Sequence, residues 1–519
     1  MFKTTLMKRY FFLFFLAITV ITTKAQEVPL VIAPGPVGTL NNVIRGDTTS
    51  DGKRTAGRVY VLRRGLPYLL SASLDFNYPV HIRAEAGAGD RPMIVFSPST
   101  GGSTIATLFL CRANLTLEGL YITARDVLGN YSDEPFRTAA DNVKISLINT
   151  QIDDVGQAAF RVANRGVKIN ILDSYFARLG RPNNPDNGRF IDNRGNVIDS
   201  VLIRNTVVYN VTSRFFRANN AAQVITNLIL DQNTFVASGQ HGFDLGIVNN
   251  MTITNNVIAN AIFLGRGATA TPARTIIQVA PPAGATVVNW VVRNNNFFLD
   301  TDYAKSFPKK EADGDSSTIA DPFPARMIRA LDSLGIRNTN ISEILTFVNP
   351  AKLALQFQTA WFNKPAGTNL VEAASPWDHT GIDPNAVYSQ LGGANAIPRY
   401  TNSHNFLYAN TFQSFKAGTR GQPLGAGPNY LTNTEDLFLS RKLVLYPNPV
   451  KETLFLANPE GLNFRSVALY NQLGQMVKSW TAINNQIFEM NVQGLQNGMY
   501  ILSVVDEKGH LSSRKIVKR

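Results

Sequence analysis

KISLINTQI at residues 144–152 sets the pattern that decides the fold, and it returns as KINILDSYF at 168–176 and SVLIRNTVV at 200–208. In each copy, apolar residues stand four and two positions before a central polar residue, and another stands three positions after it. The alternation before the centre predicts a strand with one buried face. The step to the third apolar residue breaks that alternation, so the chain must bend at the centre.

The pattern recurs seven times between Asn114 and Asp300, with 23 to 39 residues between successive centres. Asn, Asp and Gly tolerate the left-handed backbone that such a bend needs, and Gln232 fits this requirement less well. The centres are Gly119, Asn149, Asp173, Asn205, Gln232, Asn255 and Asn294. Repeats of this size, built of short strands with polar bends, predict a solenoid, here a right-handed parallel β-helix. A leucine-rich repeat would need a fixed leucine spacing, and a β-propeller would need longer, antiparallel blades.

We predict an all-β protein in which further segments precede and follow this β-helix. We expect residues 26–113 to form an N-terminal cap that grades into the first incomplete coils. Residues 114–300 form the β-helix, and 301–430 supply late coils and a C-terminal cap with irregular loops, including helices near 326–334 and 351–362. Residues 431–440 are predicted to be a linker. Residues 441–519 carry several short strands separated by turns, which predicts a small β-sandwich.

Charge and the N-terminus indicate an exported protein. The formal charge is +13, but residues 1–25 contribute +4 and residues 441–519 contribute +5, so the central body is nearly balanced and no nucleic-acid partner is expected. Lys3, Lys8 and Arg9 precede an apolar stretch at 10–21 that is too short to span a bilayer. We therefore predict a signal peptide at 1–25, no transmembrane segment and a monomeric product. The single cysteine, Cys111, excludes an intramolecular disulfide.

A second strand is predicted after each bend, and its outward side chains form the most polar surface of the solenoid. Phe160, Phe216 and Phe243 stand eleven residues after their centres, and Ile191 takes the same place after a loop. If these residues point inward, their neighbours point outward. One outward column reads Arg161, Asp192, Arg217, Asp244 and Gln278. The column three residues earlier reads Ala158, Arg189, Arg214, His241 and Arg274. We call the surface made by these two columns the arginine face.

Two resemblances to known families add to these predictions. Residues 441–519 contain YPNP at 446–449, LYNQLGQMV at 469–477, GLQNGMYIL at 494–502 and KIVKR at 515–519. In this order they resemble the type A C-terminal sorting domain of the type IX secretion system. The resemblance implies that the secretion machinery is a partner and that the protein is secreted or lies on the outer cell surface.

The solenoid, over residues 59–300, resembles the pectin-lyase-like family of parallel β-helices. That family implies polysaccharide substrates, often uronic-acid polymers cleaved by β-elimination, and it allows a Ca²⁺ cofactor, although no metal-binding residues are assigned here. Such a reaction needs positive charge on the uronate carboxylate, a base and an acid. We assign catalysis to His241, Arg214 and Arg217, and substrate binding to Arg161, Arg189, Asp192 and Asp244. Lyases of the family commonly pair Lys with Arg, but Lys144 and Lys168, the only lysines of residues 114–300, lie outside the arginine face.

The residues of the arginine face also fit two other interpretations, a glycoside hydrolase site and a structural salt-bridge ladder. Asp192 and Asp244, two coils apart and roughly 9.6 Å from each other, could serve a glycoside hydrolase. The alternating signs of Arg161, Asp192, Arg217 and Asp244 could instead form a salt-bridge ladder between coils. The protein is then either a polysaccharide lyase or hydrolase, or a non-catalytic adhesion or carbohydrate-binding module.

Overall fold

The computed structural model describes most of the chain. The described residues are 27–65, 67–87, 89–97, 104–126, 128–181, 183–195, 197–218, 223–240, 242–264, 275–280, 289–307, 322–365, 382–383, 399–400, 404–427, 444–457, 464–471, 476–483, 487–506 and 511–519. The predicted signal peptide and the predicted linker lie outside these residues.

The chain winds through three parallel sheets, which confirms the predicted β-helix. Each coil runs through sheet 1, sheet 2 and sheet 3 before it returns to sheet 1. Sheet 1 consists of Val28–Ile32, Arg58–Leu62, Val80–Ala84, Leu115–Glu118, Lys144–Ile148, Val167–Leu172, Ile198–Arg204, Val224–Asp231, Ile247–Thr254 and Asn289–Arg293. Sheet 2 consists of Pro67–Leu70, Met93–Phe96, Tyr121–Thr123, Gln151–Val155, Tyr175–Leu179, Val207–Val211, Thr234–Ser238, Val257–Ala261 and Asn296–Phe298. Sheet 3 consists of Leu74–Phe76, Thr107–Cys111, Glu134–Thr138, Ala158–Val162, Arg189–Asn193, Arg214–Ala218, Phe243–Asp244 and Ile277–Gln278.

The repeated pattern places its apolar residues in single files along the axis. Leu147, Ile171, Ile203 and Leu230 pair in register on neighbouring coils of sheet 1 and are buried. On sheet 3 the rings of Phe109, Phe136 and Phe160 stack with centroids 5.4 and 5.0 Å apart. Burying one such side chain contributes about 1.5–3 kcal/mol, so these files hold the coils together.

Every predicted bend adopts the left-handed conformation. The centres from Gly119 to Asn294 have φ between 49° and 70°, and Gln232 has φ 59°. The residues one position later form a buried polar ladder inside the bend, in which each side chain accepts a hydrogen bond from the backbone of the preceding coil. Its steps join Thr150 to Ser174, Ser174 to Thr206, Thr206 to Asn233, Asn233 to Asn256, and Asn256 to Asn295.

A second left-handed column, which the pattern did not predict, lies five residues after the bends. Its members are Asp154, Arg178, Asn210, Ala237 and Asn260, with φ between 51° and 62°. The strand pairing of sheet 2 skips all five residues, and it skips the equivalent residue in both neighbouring strands, so the coils keep their register and the column is a row of aligned kinks. Each kink lies one residue before the end of its strand, where the chain leaves sheet 2 for sheet 3.

The segment after Asp300 is mixed in structure. Phe323, Met327 and Leu331 join the interior core of the solenoid, whereas later residues of the segment pack on the outside of sheet 2. It contains helices Thr301–Lys305, Ala325–Ser333 and Leu355–Asn363, and the antiparallel pairs Phe347–Asn349 with Asn405–Tyr408 and Ile382–Asp383 with Arg399–Tyr400. Near the N-terminus a helix spans Thr39–Gly46. Phe357, Trp361, Phe406 and Leu424 form one apolar cluster with the outward residues of sheet 2. Sheet 2 is therefore covered, whereas the outward face of sheet 3 carries charged side chains.

Residues 444–519 form two small antiparallel sheets around their own core. One sheet contains Val444–Tyr446, Thr453–Ala457 and Ile487–Asn491. The other contains Met476–Ile483, Phe464–Tyr470, Gly498–Asp506 and Leu511–Lys518. This arrangement agrees with the predicted fold of this unit.

Candidate functional site

Sheet 3 brings the first predicted column of the arginine face together. Arg161, Asp192, Arg217, Asp244 and Gln278 pair in register on consecutive coils. The second column follows the same register through Ala158, Arg189 and Arg214. His241 and Arg274, which would continue it, lie outside the described residues. The alternation of inward phenylalanines and outward charges thus brings residues that are 25 to 31 positions apart side by side.

Asp192 lies at the centre of the arginine face and is bound by three guanidinium groups. Its carboxylate is 3.1 Å from Arg189 Nη1, 3.1 Å from Arg217 Nη1 and 3.7 Å from Arg194 Nη1. Asp192 is only 2% exposed, so these pairs lie in a weakly screened environment. With its oxygens engaged by arginines, Asp192 orients guanidinium groups, and this arrangement does not suit it to act as a general base.

Arg214 and Asp244 form the next part of the arginine face. Burial is the main cause that raises the pKa of Asp244, and the nearby Arg214 and Arg217 oppose that rise. Burial lowers the pKa of Arg214, and Asp244 partly compensates. The Nε atom of Arg214 is buried and has no hydrogen-bond partner among the described residues. A ligand can use this donor only if the side chain turns outward, because the atom has almost no solvent-accessible surface.

The guanidinium groups around this centre outnumber the carboxylates. Arg189, Arg194, Arg214 and Arg217 lie among three acidic groups, Asp186, Asp192 and Asp244. Burial, reinforced by the other arginines, lowers the pKa of Arg189 to about 10, so it remains charged at neutral pH. Because arginine binds carboxylates with paired hydrogen bonds, the surplus charge favours an anionic ligand.

At the N-terminal end of the same face, Glu134 compensates two arginines that face outward. Its carboxylate is 3.3 Å from Arg137 Nη1 and 3.5 Å from Arg161 Nη1. Burial raises the pKa of Glu134, and Arg161 and Arg137 oppose that rise. Glu134 and Arg137 were not predicted from the sequence, because the ten residues between Thr123 and Glu134 shift this strand away from the usual spacing. The register of Arg137 with Arg161 would have revealed them.

Loops between sheets 2 and 3 carry further polar side chains beside the arginine face. Arg181 pairs with Asp133, and its guanidinium carbon is 5.8 Å from the centroid of the Tyr131 ring. In the same region Arg189 Nη2 donates a hydrogen bond to the carbonyl oxygen of Asp186 at 2.7 Å. These loops fix the arginines of the face from one side.

A different charged cluster lies buried on the outward side of sheet 2. Arg178 Nη2 is 2.9 Å from Asp153 Oδ2, and Arg178 Nε is 3.1 Å from Asp154 Oδ1. Arg178 also donates a hydrogen bond to the hydroxyl of Tyr209, whose ring lies 5.4 Å from that of His404. All of these residues are buried, so the cluster joins residues 404–427 to the solenoid.

Within the described part of the chain, no group of three or more His, Cys, Asp and Glu side chains is arranged to hold a metal ion. The same part of the chain contains no helix that is both long enough and apolar enough to cross a membrane.

Comparison with known proteins identifies the C-terminal unit. Residues 444–519 match the family model of the secretion system C-terminal sorting domain, which confirms the sorting domain expected from the sequence. No curated protein sequence matches the chain. Among solved structures, the chain is similar to a PL6 family alginate lyase, AlyGC, with a TM-score of 0.32 and 16% identity. The similarity covers 52% of this chain and 39% of the lyase.

The family match and the three parallel sheets together describe the organisation of the protein. The parallel β-helix carries the arginine face, and the following unit directs the chain to a secretion system. The chain is a β-helix protein that carries a secretion system C-terminal sorting domain, which indicates export to the cell surface or out of the cell.

Proposed function

We propose that this exported protein binds an acidic polysaccharide along the arginine face. The observation that carries the proposal is the excess of positive charge in this cluster, where four guanidinium groups lie among three carboxylates, Asp186, Asp192 and Asp244. A polymer of uronic acids supplies the missing negative charge at regular intervals. Its carboxylates accept paired hydrogen bonds from arginine, and its length suits a face that continues over several coils.

The closed ion pairs favour binding rather than chemistry at the centre of the face. Arg189 and Arg217 both contact Asp192, so these three side chains hold one another in place. Rigid guanidinium groups lose little conformational freedom when a ligand binds, which favours affinity. This part of the arginine face therefore serves recognition, as in a carbohydrate-binding or adhesion module.

Polysaccharide cleavage is the second candidate function, and the environment of Asp244 favours it. In β-elimination a base removes the proton beside the uronate carboxyl group, and the glycosidic oxygen leaves as a double bond forms. Burial raises the pKa of Asp244, which makes it a stronger base than an exposed aspartate, so in this candidate function it acts as the base and not as the substrate contact expected from the sequence. Arg214 and Arg217 would bind the uronate carboxylate and stabilise the developing charge. His241 is the side chain that we assign as the acid for the leaving oxygen.

The test is to incubate the exported protein with a panel of uronate polymers and neutral polymers of matched length. Binding is measured by titration calorimetry, and β-elimination by the ultraviolet absorbance of the unsaturated product. We expect binding to at least one uronate polymer and none to the neutral polymers. Equal binding of neutral and acidic polymers, or no binding to either, would refute the proposal.

The same assay separates binding from cleavage. A rise in absorbance that disappears in the double variant Arg214→Ala, His241→Ala would establish lyase action at this face. Retained binding without any change in absorbance, and without new reducing ends, would establish a non-catalytic module.

A further inference from the structure

A groove of about 510 Å³ crosses the N-terminal part of sheet 3, beyond the residues assigned from the sequence. Leu110, Arg112 and Arg137 line it together with Thr138 and Asn164. Leu110 and Arg137 stand side by side on neighbouring strands. The other lining residues are mostly small, so the groove is open to solvent. Its volume lies within the range of small-ligand sites.

Arg137 gives the groove a positive charge. Its side chain is 45% exposed, and its partner Glu134 also pairs with Arg161. One buried carboxylate thus compensates two guanidinium groups. Arg112, by contrast, has its own partner, because its Nε and Nη2 atoms donate hydrogen bonds to the two oxygens of Asp75.

Asn164, in the wall of the groove, has a side-chain oxygen that a sugar hydroxyl reaches when the side chain turns towards the groove. Asn164 Oδ1 is buried and receives no hydrogen bond from the described residues. The Oγ1 atom of the adjacent Thr138 accepts a hydrogen bond from the backbone N of Ala163, so that side of the groove is held in place. Leu110 is only partly buried and offers an apolar surface to the face of a sugar ring. Cation, acceptor and apolar surface are the three contacts that a uronic-acid residue needs.

The groove is continuous with the arginine face. Arg137, Arg161, Asp192 and Arg217 pair in register on four consecutive coils. At roughly 4.8 Å per coil, Arg137 lies about 14 Å from Arg217 along the axis. A linear polymer that runs parallel to the axis would reach both positions, but only if it is several sugar residues long.

We infer that this groove is a distal subsite for a carboxylated polysaccharide whose other end lies at Arg214 and Arg217. Arg137 binds a carboxylate, Asn164 Oδ1 accepts a hydrogen bond from a sugar hydroxyl, and Leu110 packs against the ring. The inference rests on the proposed function and adds a length requirement to it. Short acidic oligomers fill only the Arg214 end, whereas longer ones gain affinity from the groove.

The test uses the full chain and two sizes of probe, uronate trimers and heptamers of galacturonate and of guluronate. Arg137→Gln removes the cation, and Ala163→Trp fills the groove from an exposed position at its rim. Arg204→Gln is the matched control, because Arg204 is similarly exposed and paired, at 3.2 Å from Asp231, but lies on sheet 1. We expect both groove variants to weaken the binding of the best heptamer about tenfold. Trimer binding should change less than about twofold, and the control should match the wild type for both probes.

Other outcomes separate this inference from the proposed function. If Arg214→Gln weakens heptamer binding but both groove variants bind like the wild type, the distal subsite is wrong and the arginine face stands. If the groove variants weaken the trimer as much as the heptamer, the groove is not a distal site. If the wild type binds no acidic oligomer, both proposals fail.

Discussion

Asn205 Oδ1 accepts a hydrogen bond at 2.7 Å from the backbone N of Gly427, which lies 222 positions later in the chain. The neighbouring bend residues repeat this relationship. Gln232 Nε2 donates to the carbonyl oxygens of Pro423 and Gly425, and Asn294 Nδ2 donates to that of Ala417. The bends that turn the solenoid thus also fasten residues 404–427, which we call the C-terminal strap, along its side.

Shortening Gln232 should loosen the C-terminal strap. Gln232→Asn keeps a residue that tolerates the positive φ but removes one methylene from the reach of the amide. Both hydrogen bonds to the strap should be lost, at a cost of about 1 kcal/mol. Hydrogen exchange should then be faster at residues 417–427 and unchanged at residues 144–179. Unaltered exchange in the strap would show that these bonds do not hold it.

Attachment of the C-terminal strap explains why a glutamine, Gln232, stands at one of the bends. The pattern predicts a left-handed bend at every centre, since the apolar files on either side cannot otherwise both face inward. It does not predict why Gln232 stands among Asn, Asp and Gly. Gln232 adopts φ 59° and reaches two strap carbonyls, so the longer side chain is matched to a contact far along the sequence. Such contacts leave no local signal.

The internal ladder should contribute more to stability than the strap. Asn256 donates hydrogen bonds to Leu230 O, Thr254 O and Asn295 Oδ1, and its own Oδ1 accepts from the backbone of Asn233. Asn256→Ala leaves several buried groups unpaired, so we expect a loss of about 3 kcal/mol in the free energy of unfolding.

Asn256→Ser is the matched variant, because Ser174 occupies the same place in another coil. Denaturant unfolding should rank the wild type above the serine variant and the serine variant above the alanine variant. A loss below about 0.5 kcal/mol in the alanine variant would contradict the ladder.

Asp192 should matter for stability as well as for recognition. Asp192→Asn removes the charge that three arginines share, and breaking a buried pair typically costs about 3 kcal/mol. Asp199→Asn is the control, because its pair with Lys168 lies at the surface and should contribute less than about 0.5 kcal/mol. Thermal unfolding measures the loss of stability in each variant. Equal losses in Asp192→Asn and Asp199→Asn would show that the salt bridges around Asp192 do not stabilise the fold.

The sequence predicts which side chains of the arginine face align on neighbouring coils. It does not predict which arginine forms an ion pair with which carboxylate. A period of two residues sets which side chains point outward, so Arg161, Asp192 and Arg217 could be aligned from the sequence. Which carboxylate each arginine contacts depends on side-chain conformations and on burial. The sequence offered two roles for Asp192, a ligand contact and a member of a salt-bridge ladder, and the structure pairs it with Arg217 of the next coil and with two further arginines. The left-handed kinks at Arg178 and Ala237 could not be predicted either, because arginine and alanine have no common preference for a positive φ.

Stability should depend on pH through Asp153. Burial raises the pKa of its carboxyl group, and Arg178 opposes that rise. Above the ordinary pKa of an aspartate, about 4, the folded state therefore binds more protons than the unfolded state. Stability should fall as the pH rises from that value through the raised pKa.

Asp153→Asn removes this titration without changing the shape of the side chain. We expect the free energy of unfolding to decline less between about pH 4.5 and about pH 8 in the variant than in the wild type. Urea unfolding at four pH values would measure the two slopes. Parallel curves would show that Asp153 titrates normally in the folded protein.

The most direct measurement is the affinity of the full chain for a uronate heptamer, compared between the wild type and Arg214→Gln at low and moderate salt. Arg214 lies beside Asp244 at the centre of the arginine face, and its buried Nε atom has no hydrogen-bond partner among the described residues. We predict that the variant binds about tenfold more weakly and shows a weaker dependence on salt. Because Arg214 also offsets the burial of Asp244, the melting temperature of the variant is measured alongside to show that it is folded at the assay temperature. Equal affinity of the two proteins would contradict the assignment of the arginine face as the site that recognises acidic polysaccharide.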